Sequence, residues 1–261
     1  MGQQSTKSEK KIIGSIIKAV EVIEYRANSQ NGAGATEISK DLNYGVSSIY
    51  HILNTLKECN IIEQDKRTKK FKLGLKLWQI GMLAYEHNPI SITLRPYLKK
   101  LKDLTGETAN LTVMDNYNIV YIAQVESDKL VKMFTRPGAT APLHCTAAGK
   151  IFLAFKDENI RNSILDKIEL IKYTENTITD KDSLTEELEK IRQNGCGFDN
   201  EEREIGVSCI GAPVFDIHND VIACITISGP TSRFTAENKD KWINDVIMVA
   251  REATNSLKTI F

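Results

Sequence analysis

The order in which apolar periodicities follow one another near the N-terminus leaves few folds open to this chain. Over residues 10–24, Ile13, Ile16, Ile17, Val20 and Ile23 recur at three- and four-residue steps, the stripe of an amphipathic helix packed on a core. NSQNGAGA then has loop composition, and Thr36 stands in N-cap position for a short helix with Ile38 and Leu42 on one face. After the turn Asn43-Tyr44-Gly45, residues 46–59 gather Val46, Ile49, Ile52, Leu53 and Leu56 into one helical arc. Residues 61–64 and 71–73 read as two short strands around a six-residue tip, 65–70. Helix, helix, turn, helix and hairpin in that order point to a winged helix-turn-helix domain over residues 10–74.

A third helix that enters the major groove must present short polar side chains. Ser47, His51 and Asn54 point away from its apolar arc, flanked by Ser48 and Tyr50, with Thr36 at the start of the preceding helix. Asn pairs bidentately with adenine, and Ser and His reach base edges or phosphates. The alternative is an ordinary solvated face. The hairpin favours DNA, because Lys66, Arg67, Lys69 and Lys70 put four cations within five positions at its tip, where they neutralise phosphates. Charge agrees: up to Lys76 there are 13 Lys and Arg against 8 Asp and Glu, and from Leu77 onward 21 against 26, a split that the formal net charge of zero conceals.

Leu75, Trp78, Met82 and Tyr85 continue at helical spacing before His87-Asn88-Pro89, so residues 75–88 are read as a linker helix. Its apolar stripe is either a seam between two copies, which would present two recognition helices about one DNA turn apart, or a surface packed within the chain. No run of about 18 apolar residues occurs and the first residues are polar, so a cytoplasmic chain without a membrane partner is expected. Five cysteines without a CxxC pair are read as buried thiols.

Residues 89–261 mix both periodicities. A helix to residue 104 precedes strands at 110–114, 119–125 and 129–134; helices at 147–155 and 183–193 precede a strand pair at 207–215 and 221–228; a last helix covers 236–257. Hairpin-linked strands with helices before and after indicate an α+β domain on an antiparallel sheet. Enzyme readings fail. Gly206-Val207-Ser208-Cys209-Ile210-Gly211 has one residue too many for a nucleophile elbow and runs into a strand, not a helix. His144 and Cys145, being adjacent, point apart, and no phosphate-binding loop is present. Neither an enzyme nor a cofactor is therefore expected. A metal or redox sensor using Cys145, Cys196, Cys209 and Cys224 near His144 stays open as the alternative, although the spacings match no ligand motif.

Five segments together resemble the IclR family of bacterial transcriptional regulators over nearly the whole chain. They are Ile61-Ile62-Glu63 leading to Phe71-Lys72-Leu73-Gly74, Thr105-Gly106-Glu107-Thr108-Ala109-Asn110-Leu111, Pro142-Leu143-His144 through Ala148-Gly149-Lys150, Gly197-Phe198-Asp199-Asn200-Glu201-Glu202, and Ala212-Pro213-Val214-Phe215-Asp216 through Ile227-Ser228-Gly229-Pro230. The resemblance implies an N-terminal winged helix, a GAF-like effector domain, a dimer or tetramer, a double-stranded DNA operator, and control of small-molecule catabolism genes. It also implies a pocket for an organic acid or aromatic effector at Leu130, Met133, Ala147, Ala148, Asp199, Cys209, Thr226 and Ser228, with the amides at 147 and 148 facing a carboxylate. Glu201, Glu202 and Glu204 are read as a solvated acidic loop that could act as a lid. The chain departs from the family at Val46 and His51, where relatives often carry cations, and at Cys145 and Cys196, where they often carry Ala and an aromatic residue.

Overall fold

The computed structural model describes residues 12–28 and 32–258. It divides into two compact units between Glu86 and His87.

The first unit holds α1 (Gly14–Asn28), α2 (Ala35–Asp41), α3 (Val46–Glu58), the hairpin β1 (Ile62–Gln64) and β2 (Phe71–Leu73), and α4 (Leu75–Glu86). Its core is Val22, Ile38, Ile49, Leu53, Ile62 and Phe71, all essentially inaccessible to water. The strands pair antiparallel, Ile62 opposite Leu73 and Gln64 opposite Phe71, and Ala33 adds a bridge to Phe71. Side chains hold the turn between α2 and α3: Ser39 Oγ donates to the Tyr44 carbonyl at 2.5 Å, and the Tyr44 hydroxyl donates to Glu21 of α1. Asn43 takes the left-handed conformation there (φ 54°), which Asn tolerates.

Three expectations are corrected in this unit. The stripe Ile13, Ile16, Ile17 and Val20 does not pack inward; Ile13 and Ile16 are 61% and 59% exposed, and Val22 with Ala19 and Ile23 forms the buried side. Two apolar rows run along α1, and periodicity does not say which one meets α3; residues 10 and 11 lie outside the described residues. Val46 is also exposed. Thr36 is no N-cap: Gly34 occupies that position, its N–H bonded to Glu37 Oε2, and Thr36 lies one residue inside α2. In α4 no residue is fully buried; Leu75 and Trp78 of its stripe are exposed and Met82 and Tyr85 half-buried.

The second unit is built on a six-stranded antiparallel sheet of order β5-β4-β3-β8-β7-β6, comprising β3 (Thr108–Asp115), β4 (Asn118–Val125), β5 (Thr140–Pro142), β6 (Gly197–Asn200), β7 (Val207–Phe215) and β8 (Val221–Pro230). One face packs on α5 (Pro89–Thr105) and α9 (Ala236–Lys258) through Leu94, Leu98, Leu101, Val246 and Ala253. The other packs on α6 (Ala147–Phe155) and α8 (Lys181–Asn194) through Ile151, Phe152, Leu184 and Leu188, with α7 (Glu158–Leu165) beside them. Local chemistry explains the helix ends. Asn88 Oδ1 caps α5 by accepting from Ser91 N at 2.9 Å with Pro89 following, and Gly106 ends it in the left-handed region at φ 70°.

This is the α+β class with an antiparallel sheet that the sequence predicted. Residues 129–134, however, form no strand. Their carbonyls go to side chains instead: Thr108 Oγ1 donates to Met133 O at 2.8 Å and Arg233 Nη2 to Val131 O at 2.8 Å. The strand next to β4 is the shorter β5, with Asn118 opposite Pro142. The short α7 and β6 were not anticipated. Among the cysteines, Cys59 is exposed and Cys209 half-buried, so only Cys145, Cys196 and Cys224 are buried as expected.

Candidate functional site

On α3, Ser47, Tyr50, His51 and Asn54 are exposed and Ser48 is half-buried, while Ile49, Leu53 and Leu56 hold the opposite face in the core. Thr36 is exposed on α2. The tip of the hairpin is built by Asp65, whose Oδ1 accepts from Arg67 N (3.0 Å), Thr68 N (2.6 Å) and Thr68 Oγ1 (2.9 Å). These bonds favour the ionised carboxyl and hold it below the usual carboxylate range. Lys69 adopts φ 57° and its carbonyl accepts from Gln64 Nε2. Four side-chain bonds in so short a loop fix its backbone, and Lys66, Arg67, Lys69 and Lys70 are displayed on the outside.

In the second unit, sheet register assembles a row. Asp199 on β6 lies opposite Cys209 on β7, which lies opposite Ser228 on β8. Thr226 sits two residues from Ser228 and therefore on the same face. The neighbouring row is Gly197, Gly211 and Thr226, and α6 rests directly on its glycines: a Cβ at Gly197 would approach Ile151 Cγ1 to 2.8 Å. Where α6 begins, the Asp199 row is left uncovered and a hollow forms. It is lined by Met133, Ala147, Ala148, Asp199, Cys209, Thr226 and Ser228, together with Ile119, Tyr121, Ala141, Thr146, Arg203, Glu204 and Val207. Seven of the eight residues expected around a pocket thus surround one cavity. Leu130 does not; it is fully exposed on the strap of residues 126–139, because that strap is pinned by side chains and turns the residue outward. The hollow is narrow, with about 50 Å³ of space for the centres of water-sized spheres. A roomier groove of about 400 Å³ at the edge of β7, between Phe155 and Arg251, is open.

Three features give the narrow hollow its chemistry. Thr146 caps α6, accepting from Gly149 N at 3.1 Å and donating to Pro142 O at 2.8 Å. That leaves the amides of Ala147 and Ala148, which have no acceptor within the helix, at its positive end. Gly149 is small for packing: a Cβ there would sit 2.5 Å from the Leu143 Cα. Asp199 is buried; its Oδ1 accepts from Glu202 N at 2.8 Å, and its other oxygen takes no hydrogen bond among the described residues. Burial above all, with the Glu202 charge adding to it, pushes the Asp199 carboxyl up to about 7, so near neutrality it can donate as well as accept. Tyr121 is likewise pushed upward by burial.

The acidic loop is not wholly solvated. Glu202 is buried, and its Oε1 accepts from Lys150 Nζ at 2.5 Å; Lys150 is itself 1% exposed and lies 3.5 Å from Glu187. The Glu202 carbonyl accepts from Thr177 Oγ1 at 2.6 Å. A lysine midway along an apolar helix is the sequence signal for this latch, since an inward-facing cation needs a buried anion. Nothing in local sequence marks Arg203, whose guanidinium carbon lies 3.9 Å from the centre of the Tyr173 ring.

The cysteines do not assemble a metal centre: among the described residues no three His, Cys, Asp or Glu side chains are placed to hold an ion. Burial pushes the Cys145 thiol up to about 12 and raises Cys209 and Cys224 further, away from thiolate chemistry. His144 Nε2 lies 3.0 Å from the Ile171 carbonyl, and burial lowers its pKa, so the sensor alternative loses its ligands. Among the described residues no helix is long and apolar enough to cross a membrane.

Comparison with known proteins finds two family models on this chain: the IclR helix-turn-helix domain at residues 15–66, and the bacterial transcriptional regulator IclR C-terminal domain at residues 82–255. The HTH-type transcriptional regulator KdgR of Escherichia coli strain K12 is 33% identical over 240 residues, covering 92% of this chain and 91% of that protein. The transcriptional repressor IclR of the same organism is 29% identical over 93% of this chain and 89% of its own length. A crystal structure of the Thermotoga maritima IclR superposes with a TM-score of 0.70 at 33% identity, covering 94% of this chain and 99% of that one.

Proposed function

The chain belongs to the IclR family of transcriptional regulators, which are DNA-binding proteins and not enzymes, and on that premise we propose that it is a ligand-responsive regulator of small-molecule catabolism genes, working in the cytoplasm as a homo-oligomer. In this reading Asn54, His51, Ser47, Ser48 and Tyr50 of α3 read base edges, Thr36 supports them from α2, and Lys66, Arg67, Lys69 and Lys70 engage phosphate. Val46 and His51 supply no fixed cation at the start of α3, which throws phosphate anchoring onto the wing. The apolar residues displayed by α1 and α4 support pairing with a second copy.

The effector is a small organic acid or aromatic acid held in the narrow hollow. One observation carries this: the free amides at the start of α6 and the buried, incompletely bonded Asp199 line the same cavity. A carboxylate accepts from the amides, Asp199 meets a hydroxyl or amine, and Met133 supplies apolar wall. An effector that binds one quaternary arrangement better than another shifts the spacing of paired recognition helices. The test fills the cavity. Ala148→Leu is expected to bind operator DNA as the parent does in a mobility-shift assay while losing all release by small acids; retained release would refute the site.

A further inference from the structure

We propose that Arg203 makes the hollow selective for small dicarboxylates over monocarboxylates of the same length. The inference rests on the reading of this hollow as an effector site and adds the class of ligand. Arg203 is the cation among the residues lining the hollow, and it forms no ion pair among the described residues, although Glu204 follows it and lines the same mouth. It is held in place. Its backbone N–H reaches Asp199 Oδ1 at 3.4 Å, and its guanidinium lies against the Tyr173 ring, which restrains the side chain without consuming its charge.

Of the other acidic groups nearby, Glu202 is held by Lys150, and Asp199 accepts from two amides through Oδ1. The hollow is therefore lined by two separate attractors for negative charge, the amides of Ala147 and Ala148 and the guanidinium-bearing Arg203. A monocarboxylate satisfies one of them. A ligand with a carboxylate at each end satisfies both, and the guanidinium fork suits a carboxylate better than an ammonium would.

The test compares butanoate with succinate, which share a four-carbon skeleton, by calorimetric titration of the full chain and of Arg203→Gln and Arg203→Lys at constant ionic strength. Succinate is expected to bind the parent about tenfold or more tighter than butanoate. Arg203→Gln should bring the ratio of succinate to butanoate affinity near one, with Arg203→Lys between, and a parent-like thermal midpoint of each free variant shows that it is folded. Equal binding of the two acids by the parent, or a ratio that survives Arg203→Gln, overturns the proposal. If only butanoate binds, the effector site stands and the selectivity is wrong; if no acid of two to six carbons binds, the reading of the hollow fails and this inference with it.

Discussion

The two units treat their surfaces and interiors in opposite ways. In the first, large apolar residues face outward: Ile12, Ile13, Ile16, Ile17 and Val20 along α1 and its entry, Leu75, Trp78, Ile80 and Leu83 along α4. Its buried core rests on a handful of side chains around Ile49 and Phe71. In the second, charge is drawn inward: Lys150, Glu202, Asp199 and Glu107 are all buried, and Glu107 takes two hydrogen bonds from Arg233 at 2.7 Å each and an ion pair from Lys129 at 2.7 Å. Small domains are marginal when they leave apolar surface in water, whereas buried charge costs desolvation and persists only with good partners. The first unit thus leaves apolar surface in water, and the second encloses charge that depends on its partners.

The largest effect should come from placing charge on that apolar surface. Trp78→Glu with Leu83→Glu is expected to shift sedimentation equilibrium toward monomer and to weaken operator binding by about 100-fold or more, since avidity between paired half-sites is lost. A variant that stays oligomeric and binds normally would break the contrast. Next is the latch in the second unit. Lys150→Met leaves Glu202 buried without a counter-ion and should cost about 3–5 kcal/mol in urea melts, while adding Glu202→Leu should restore most of it.

Asp199 predicts a pH effect of smaller size. Its folded-state pKa of about 7 lies above the unfolded carboxylate value, so its contribution is fully present only in acid and is lost as pH rises toward 7. Relative to Asp199→Asn, the parent should therefore lose about 2 kcal/mol between roughly pH 5.5 and pH 8, read from paired urea melts. A flat difference would mean the carboxyl is not desolvated. The mildest is the wing: Lys69→Ala with Lys70→Ala should weaken binding to all duplexes alike and lower the slope of log K against log salt by about 2. An unchanged slope would remove the wing from the DNA interface.

Much of this architecture could be read from the chain alone, and the exceptions are instructive. Long elements with one buried face declared themselves, as in α3 and α9, because period and burial coincide there. α1 was placed but turned the wrong way, since two apolar rows overlap on it and only tertiary contact chooses between them. The strap of residues 126–139 imitated a strand because Leu130, Val131 and Phe134 have strand composition; its hydrogen bonds are taken by Thr108 and Arg233, which lie far off in sequence. At the site, Asp199, Cys209 and Ser228 come together by register across three strands, which spacing alone does not report. Resemblance to a family supplied them, and it also supplied Leu130, which the strap carries elsewhere. Arg203 and Tyr121 were invisible, since neither sits in a motif and both join the hollow only through folding.

The strap is tied to Gly106, Glu107, Thr108 and Arg233 through Ser127, Lys129, Met133 and Val131, and it rejoins the sheet where Gly138 and Ala139 bond to Tyr121 of β4. Residues 126–137 belong to no strand, so a side chain there can change without removing a bond of the ladder. Met133 sits on the strap, in the wall of the hollow. One wall of the hollow thus hangs on a tether of its own, and its sequence can drift while the framework behind it keeps its register.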